Sequence, residues 1–178
     1  MSISFGSTGI KPYVGSKEVQ EAYVGSQLVY RAGLPTSYMF LGAETDYYIN
    51  DNVQLVQRAS ITKVSASFTP PTYKLAIQTS RIAGDVYEGE ARINNAAQFI
   101  GQKLKFTAFT TDANVKLYVV NRKADGGGAS PSKTITLSTQ EESLCEVDVP
   151  DGVSYIQFTS GTGGLGVVAL DAIRFEKV

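Results

Sequence analysis

Leu104-Lys105-Phe106-Thr107-Ala108 sets an apolar side chain at every second position. Period two marks a half-buried β-strand, because successive side chains leave a strand on opposite faces. The pattern continues outward in both directions. Before it, Val64, Ala66 and Phe68 alternate with Lys63, Ser65 and Ser67, and Tyr73, Leu75, Ile77 and Thr79 alternate with Lys74, Ala76 and Gln78. After it, Val115, Leu117 and Val119 alternate with Lys116 and Tyr118, and Val153, Tyr155 and Gln157 oppose Ile156 and Phe158. Ile135 and Leu137 sit in a Thr-rich run, and the last strand is expected to put Ala169, Asp171, Ile173 and Phe175 on one face.

Turn clusters separate these runs: Thr69-Pro-Pro-Thr72, Ala83-Gly-Asp85, Asp125-Gly-Gly-Gly128, Pro150-Asp-Gly152 and Gly161-Thr-Gly-Gly164. Many strands at such spacing predict an all-β fold, a jelly-roll β-sandwich, over residues 33–178. One short helix is expected at residues 95–100, and a glycine-rich surface loop at residues 126–132. The three consecutive glycines lack the Lys-Ser/Thr pair and the following helix that a phosphate loop needs.

Ahead of the sandwich lies a tandem repeat. Tyr13-Val14-Gly15-Ser16 returns as Tyr23-Val24-Gly25-Ser26. Gly-Ser between alternating runs suits a two-residue hairpin turn. Two such turns predict a small three-stranded meander within residues 1–32. In the expected register Val14 faces Lys17, Val24 faces Gln27, Tyr23 faces Leu28 and Glu21 faces Tyr30. Val19, Tyr23, Leu28 and Tyr30 then share a mostly apolar face that three strands alone cannot hide. Either this face docks on copies of itself or on a larger assembly, or the hairpins lie on the following domain. Gly33-Leu-Pro35 is the expected boundary.

Composition narrows the chemistry. The 178 residues carry a net charge of −1 with no run of basic residues, so no footprint for nucleic acid or an anionic membrane is present. There is no His, which removes the commonest general base and metal ligand. The single Cys145 alternates with Val147 and Val149 and reads as a small core residue. No basic start with an apolar stretch opens the chain and no run reaches membrane-spanning length, so synthesis in the cytoplasm is expected without membrane insertion.

Three stretches carry a resemblance. Ala91-Arg-Ile-Asn-Asn-Ala-Ala-Gln-Phe-Ile-Gly-Gln-Lys-Leu-Lys-Phe-Thr-Ala-Phe109, within residues 57–110, resembles the carbohydrate-binding-module-like jelly rolls of bacteriophage tail-fibre and baseplate proteins. Val168-Ala-Leu-Asp-Ala-Ile-Arg-Phe175 resembles the closing strand of galactose-binding-like sandwiches. Ser4-Phe-Gly-Ser-Thr-Gly-Ile10, with the two repeats after it, resembles N-terminal segments of phage structural proteins. The resemblance implies a virion component, of the tail or the head, whose N-terminal segment attaches to other virion proteins or to further copies of itself while the sandwich is displayed, open to a host-surface glycan. A free-standing carbohydrate-binding module is the alternative.

Tyr47, Tyr48 and Tyr87, with Arg92, are the candidate glycan-binding residues, since sugars stack on aromatic faces while polar neighbours read hydroxyls. Asp46, Asn50, Asp51 and Arg81 lie close to them in sequence. Each Tyr also reads as an ordinary packing residue. For Asp171 the galactose-binding resemblance implies a structural calcium, with Glu44 or Asp46 beside it. The other reading, which we prefer, is a carboxylate accepting hydrogen bonds from a neighbouring loop. Asp85, Glu88 and Glu90 are read as an exposed, charged strand edge. A glycosidase using Glu88, Glu90, Glu44 or Asp171 ranks last, because it needs a carboxylate pair at fixed separation with one raised pKa. The expectation is a protein without catalytic residues.

Overall fold

The computed structural model describes residues 37–178 apart from 83, 84, 162 and 163, together with the backbone of four short strands nearer the N-terminus. Those four are β1 (Tyr13–Val14), β2 (Lys17–Glu18), β3 (Glu21–Val24) and β4 (Gln27–Arg31). Next come β5 (Tyr38–Gly42), β6 (Tyr47–Ile49), β7 (Val53–Gln57), β8 (Ala59–Ala66) and β9 (Thr69–Gln78). A small hairpin, β10 (Ser80–Ile82) with β11 (Asp85–Tyr87), precedes β12 (Glu90–Ile93) and a 3-10 turn at Ala96–Phe99. The chain ends through β13 (Gln102–Thr110), β14 (Lys116–Arg122), β15 (Gly128–Thr136), β16 (Ser143–Asp148), β17 (Tyr155–Ser160) and β18 (Val167–Lys177).

Two sheets face each other. One runs β15-β14-β17-β12-β7; the other runs β16-β13-β18-β5-β6-β4-β3, with β9 also against β18 and β8 against β9. Strand β18 is long enough to share one side between two partners: Val167 to Leu170 pair with β9, and Ile173 and Arg174 with β5. Leu104, Phe106 and Ala108 are buried, as their alternation predicts, and so are Val115, Leu117, Val119, Ile156 and Phe158. Phe106 and Phe158 meet edge to face across the two layers, with ring centroids 5.5 Å apart. The 3-10 turn lays Phe99 flat on Phe175 at 3.8 Å. Among the described residues no helix is long and apolar enough to cross a membrane.

The sandwich is closed along one edge and open along the other. On the closed edge, Lys133 of β15 donates to the Glu146 carbonyl of β16 at 2.9 Å. Buried Asn121 bridges the layers there, donating to the carbonyls of Pro131 and, at 3.1 Å, Asp148. On the open edge, β7 ends its sheet, and its Val53 and Leu55 share a cleft with residues of β6 and β8 from the other layer.

Several expectations need correction. The surface loop expected at 126–132 is shorter, because β15 already pairs at Gly128 with Arg122 and at Ala129 with Asn121. An edge strand tolerates Pro131, and a register shift accommodates it. Glu90 is not on an exposed edge. It is only 8% accessible, on a strand paired on both sides with β17 and β7. In the N-terminal repeats Val14 does face Lys17, Val24 Gln27 and Tyr23 Leu28, but Glu21 faces Arg31 after a register shift. Leu28 of β4 lies parallel to Tyr48 of β6, extending the sheet. Val19, the two Gly-Ser turns and the boundary at Gly33-Leu-Pro35 lie outside the described residues.

The last strand changes phase. Val168 and Leu170 are core residues, and so are Ile173 and Phe175, so the inward parity switches between Leu170 and Ile173. Ala172 sits at φ 48°, in the left-handed region, and the pairing with both neighbours shifts nearby. This is a bulge, one residue too many for strict alternation. It turns Asp171 away from the face shared by Ile173 and Phe175, where strict alternation had placed it.

Candidate functional site

The open edge forms a cleft of about 340 Å³ lined by Tyr47, Ile49, Asn50, Asp51, Val53, Leu55 and Ile61. Three strands and one turn build it. Tyr47 and Ile49 come from one face of β6, Val53 and Leu55 from β7, and Ile61 from β8. The Tyr47 ring is fixed by Phe40, at 6.3 Å, and by Tyr73, tilted at 5.2 Å. Asn50 opens the turn between β6 and β7. Its backbone donates to Met39 and accepts from Val53, both at 2.9 Å. Its side-chain oxygen accepts from the Asn52 N–H at 3.0 Å, and its amide donates to the Tyr48 hydroxyl at 3.3 Å. Burial raises the Tyr48 pKa, and the nearby Asp51 charge adds to this against the Asn50 hydrogen bond. The result is an apolar seat with a positioned amide and the exposed Asp51 at its rim. Such a mixture of aromatic wall and few oriented polar groups is characteristic of small-ligand sites.

The expected glycan-binding residues are distributed over three places. Tyr47 lines the cleft with Asn50 and Asp51. Tyr48 alternates to the opposite face of β6 and reaches the cleft only by holding Asn50. Tyr87 is 38% exposed on the β10–β11 hairpin, with the Arg58 guanidinium over its ring at 4.5 Å. Arg58 in turn donates to Ser80 at 2.9 Å. Arg92 lies on the outer face of the five-stranded sheet, ion-paired with Glu90 and 5.2 Å above the Tyr155 ring. Arg81 is exposed.

Asp171 is fully engaged as an acceptor. One oxygen takes the N–H groups of Gly42 at 2.8 Å and Ala172 at 2.7 Å, and the other takes the Lys74 ammonium at 2.8 Å. Lys74 is 3% accessible and also binds Glu142 at 2.6 Å. Burial pulls its pKa down, but the hydrogen bonds and charges of Asp171 and Glu142 more than reverse this and leave it above the usual value. Glu44 is exposed on the turn after β5. Among the described residues no three His, Cys, Asp or Glu side chains gather where they could hold a metal ion. Cys145 is buried beside Val147, and burial pushes its thiol up to about 11.

Sequence reasoning did not single out the outer face of the five-stranded sheet. Tyr155 and Gln157 of β17 project there between Arg92 of β12 and Arg122 of β14. Arg122 donates to Gln157 at 2.7 Å and to the Gly126 carbonyl at 3.2 Å. The available signal was the alternation itself, which already set Tyr155 and Gln157 opposite the buried Ile156 and Phe158. Their neighbours across the sheet come from strands more than thirty residues away, and no local pattern encodes that pairing.

No family model matches the chain, and no curated protein matches it. Solved structures do. The K1 cleaved adhesin domain of Lys-gingipain from Porphyromonas gingivalis W83 is 14% identical with a TM-score of 0.53, over 78% of this chain and 98% of that domain. An exo-β-agarase is 12% identical with a TM-score of 0.51, over 73% of this chain. The chain spans only 23% of the agarase's length. A family 29 carbohydrate-binding module overlaps more loosely, at 12% identity and a TM-score of 0.47, over 76% of this chain and 87% of the module. At such identities the overlaps with the adhesin domain and the agarase bear on the fold alone, a β-sandwich of the jelly-roll class.

Proposed function

We propose that the chain is a non-enzymatic, displayed carbohydrate-binding sandwich, and that the edge cleft is its sugar seat. The observation that carries this reading is the cleft, where Tyr47, Ile49 and Ile61 offer apolar surface beside the oriented Asn50 and the exposed Asp51. A sugar ring presents the complementary pair of features, an apolar face and a rim of hydroxyls. The absence of His from the whole chain supports a binding role over a catalytic one. Of the carboxylates weighed for a glycosidase, Glu90 is paired with Arg92 and Asp171 with Lys74, which also favours binding.

The setting proposed for this module is a bacteriophage particle, with the N-terminal repeats as the attachment segment and a host-surface glycan as ligand. Its support is the resemblance of the repeats to phage structural proteins and the apolar pattern of Val19, Tyr23, Leu28 and Tyr30. A glycan array probed with a multivalent form of the full chain tests the binding reading, because avidity raises weak single-site affinity into range. Selective capture of neutral glycans, lost in Tyr47→Ala, is the expected result. An array and host cells that capture nothing would leave the domain a spacer.

A further inference from the structure

We infer that the outer face of the five-stranded sheet is a second binding surface, for a carboxylated polysaccharide. It stands on observations independent of the edge cleft. The outward positions form rows across the sheet. Arg122 is opposite Tyr155, then Val120, Gln157, Arg92 and Gln54 form a row, and Tyr118, Thr159 and Glu90 form the next. Lys116 continues the face beyond Tyr118. Among these positions three cations, Lys116, Arg92 and Arg122, face one carboxylate, Glu90. The adjoining turns add Lys123, Asp125 and the exposed Asp151, one positive charge and two negative, so the cations still outnumber the carboxylates. A chain of net charge −1 therefore carries a local positive surface.

Both guanidinium groups lean over the strand that lies between their own. Arg92 reaches from β12 to the ring of Tyr155, and Arg122 reaches from β14 to the side chain of Gln157, both residues of the strand between them. Glu90 offsets only Arg92. An arginine carries five N–H donors. Arg92 uses its Nε on Glu90, and Arg122 uses one donor on Gln157 and one on Gly126. The remaining donors suit a carboxylate, which guanidinium groups bind through paired hydrogen bonds.

Tyr118 supplies a sugar platform on the same face. Its ring lies so close over Gly161 that a Cβ there would stand 2.3 Å from its Cε2. The glycine leaves room for the half-buried ring to lie down on the backbone. Four residues of β14 separate Tyr118 from Arg122, about 14 Å along an extended strand. An oligosaccharide with one residue on the ring and an acidic one further along at the arginines would span that length. An extended, anionic chain fits the open face better than a compact ligand.

The test is calorimetric titration of the full chain with oligogalacturonate, oligomannuronate and oligosialic acid, and with the carboxyl-reduced form of each. At least one acidic oligosaccharide is expected to bind, more weakly at high salt, and its reduced form at least tenfold more weakly. Arg92→Gln and Arg122→Gln should each cost about tenfold, as expected for a charge-assisted contact. Tyr118→Ala should weaken binding. If a glutamine variant melts early, Arg122→Lys replaces it, keeping the charge and losing the paired geometry. Equal binding of reduced and acidic forms, no binding of any acid, or arginine-dependent binding of single-stranded DNA in their place would each overturn the proposal. Array capture of neutral glycans that is indifferent to Tyr47→Ala would overturn only the cleft reading.

Discussion

Lys74 is a full positive charge taken out of water, held between Asp171 at 2.8 Å and Glu142 at 2.6 Å. Removing one member of such a cluster leaves an uncompensated buried charge. Lys74→Met is therefore expected to destabilise by about 3 kcal/mol, measured by denaturant unfolding. The pH dependence has a definite sign. The folded pKa of Lys74 lies above its ordinary 10.5, so its contribution is complete at neutral pH. It is lost as pH rises past about 10.5 and through the folded value, and the melting difference between wild type and Lys74→Met should shrink there. Gly42 completes the same site: a Cβ would lie 1.7 Å from the Tyr73 carbonyl oxygen. Gly42→Ala is expected to cost about 3 kcal/mol, since the backbone of β9 cannot yield cheaply. Cys145, with its thiol pushed up to about 11, should resist Ellman's reagent in the native state and react after denaturation.

At the scale of the element, β18 carries the main departure from simple periodicity. Ala172 holds a left-handed backbone that favours glycine. Ala172→Gly is thus expected to be neutral or stabilising by up to about 0.5 kcal/mol by thermal melting, the relieved strain being partly offset by a looser unfolded chain. The strands around Leu104, Leu117 and Ile156 were legible because alternation states directly which side chains are buried. The bulge at Asp171-Ala172 was not, since alanine gives no local sign that it will adopt φ 48°. Nor was the burial of Glu90, which follows from β12 lying between β17 and β7. Tyr47, Asn50 and Asp51 were legible as a group because they fall within five consecutive residues at the end of β6 and the turn after it. Val53, Leu55 and Ile61, the other wall of their cleft, were not, because facing sheets bring them there. Tyr48, adjacent in sequence to Tyr47, illustrates the limit: one step along a strand exchanges the cleft for the opposite face.

At the scale of the whole molecule, the proposed reading has the N-terminal repeats attach a displayed sandwich, with β4 already extending that sandwich's sheet beside β6. A chain starting near residue 33 is expected to fold, with some 145 residues for its core. Leu28→Ser with Tyr30→Ser should abolish joining to particles while leaving the sandwich's melting nearly unchanged. A fall of many degrees would instead make β4, which lies beside β6 at Tyr48, part of the domain itself. The central claim is that the open edge binds sugar. The most direct measurement is capture on a glycan array by the multivalent full chain, beside its Tyr47→Ala and Asn50→Ala variants with matched melting temperatures. The account predicts a defined set of glycans retained by the wild type and weakened about tenfold or more by either change. Glycan capture that both variants retain in full would contradict it.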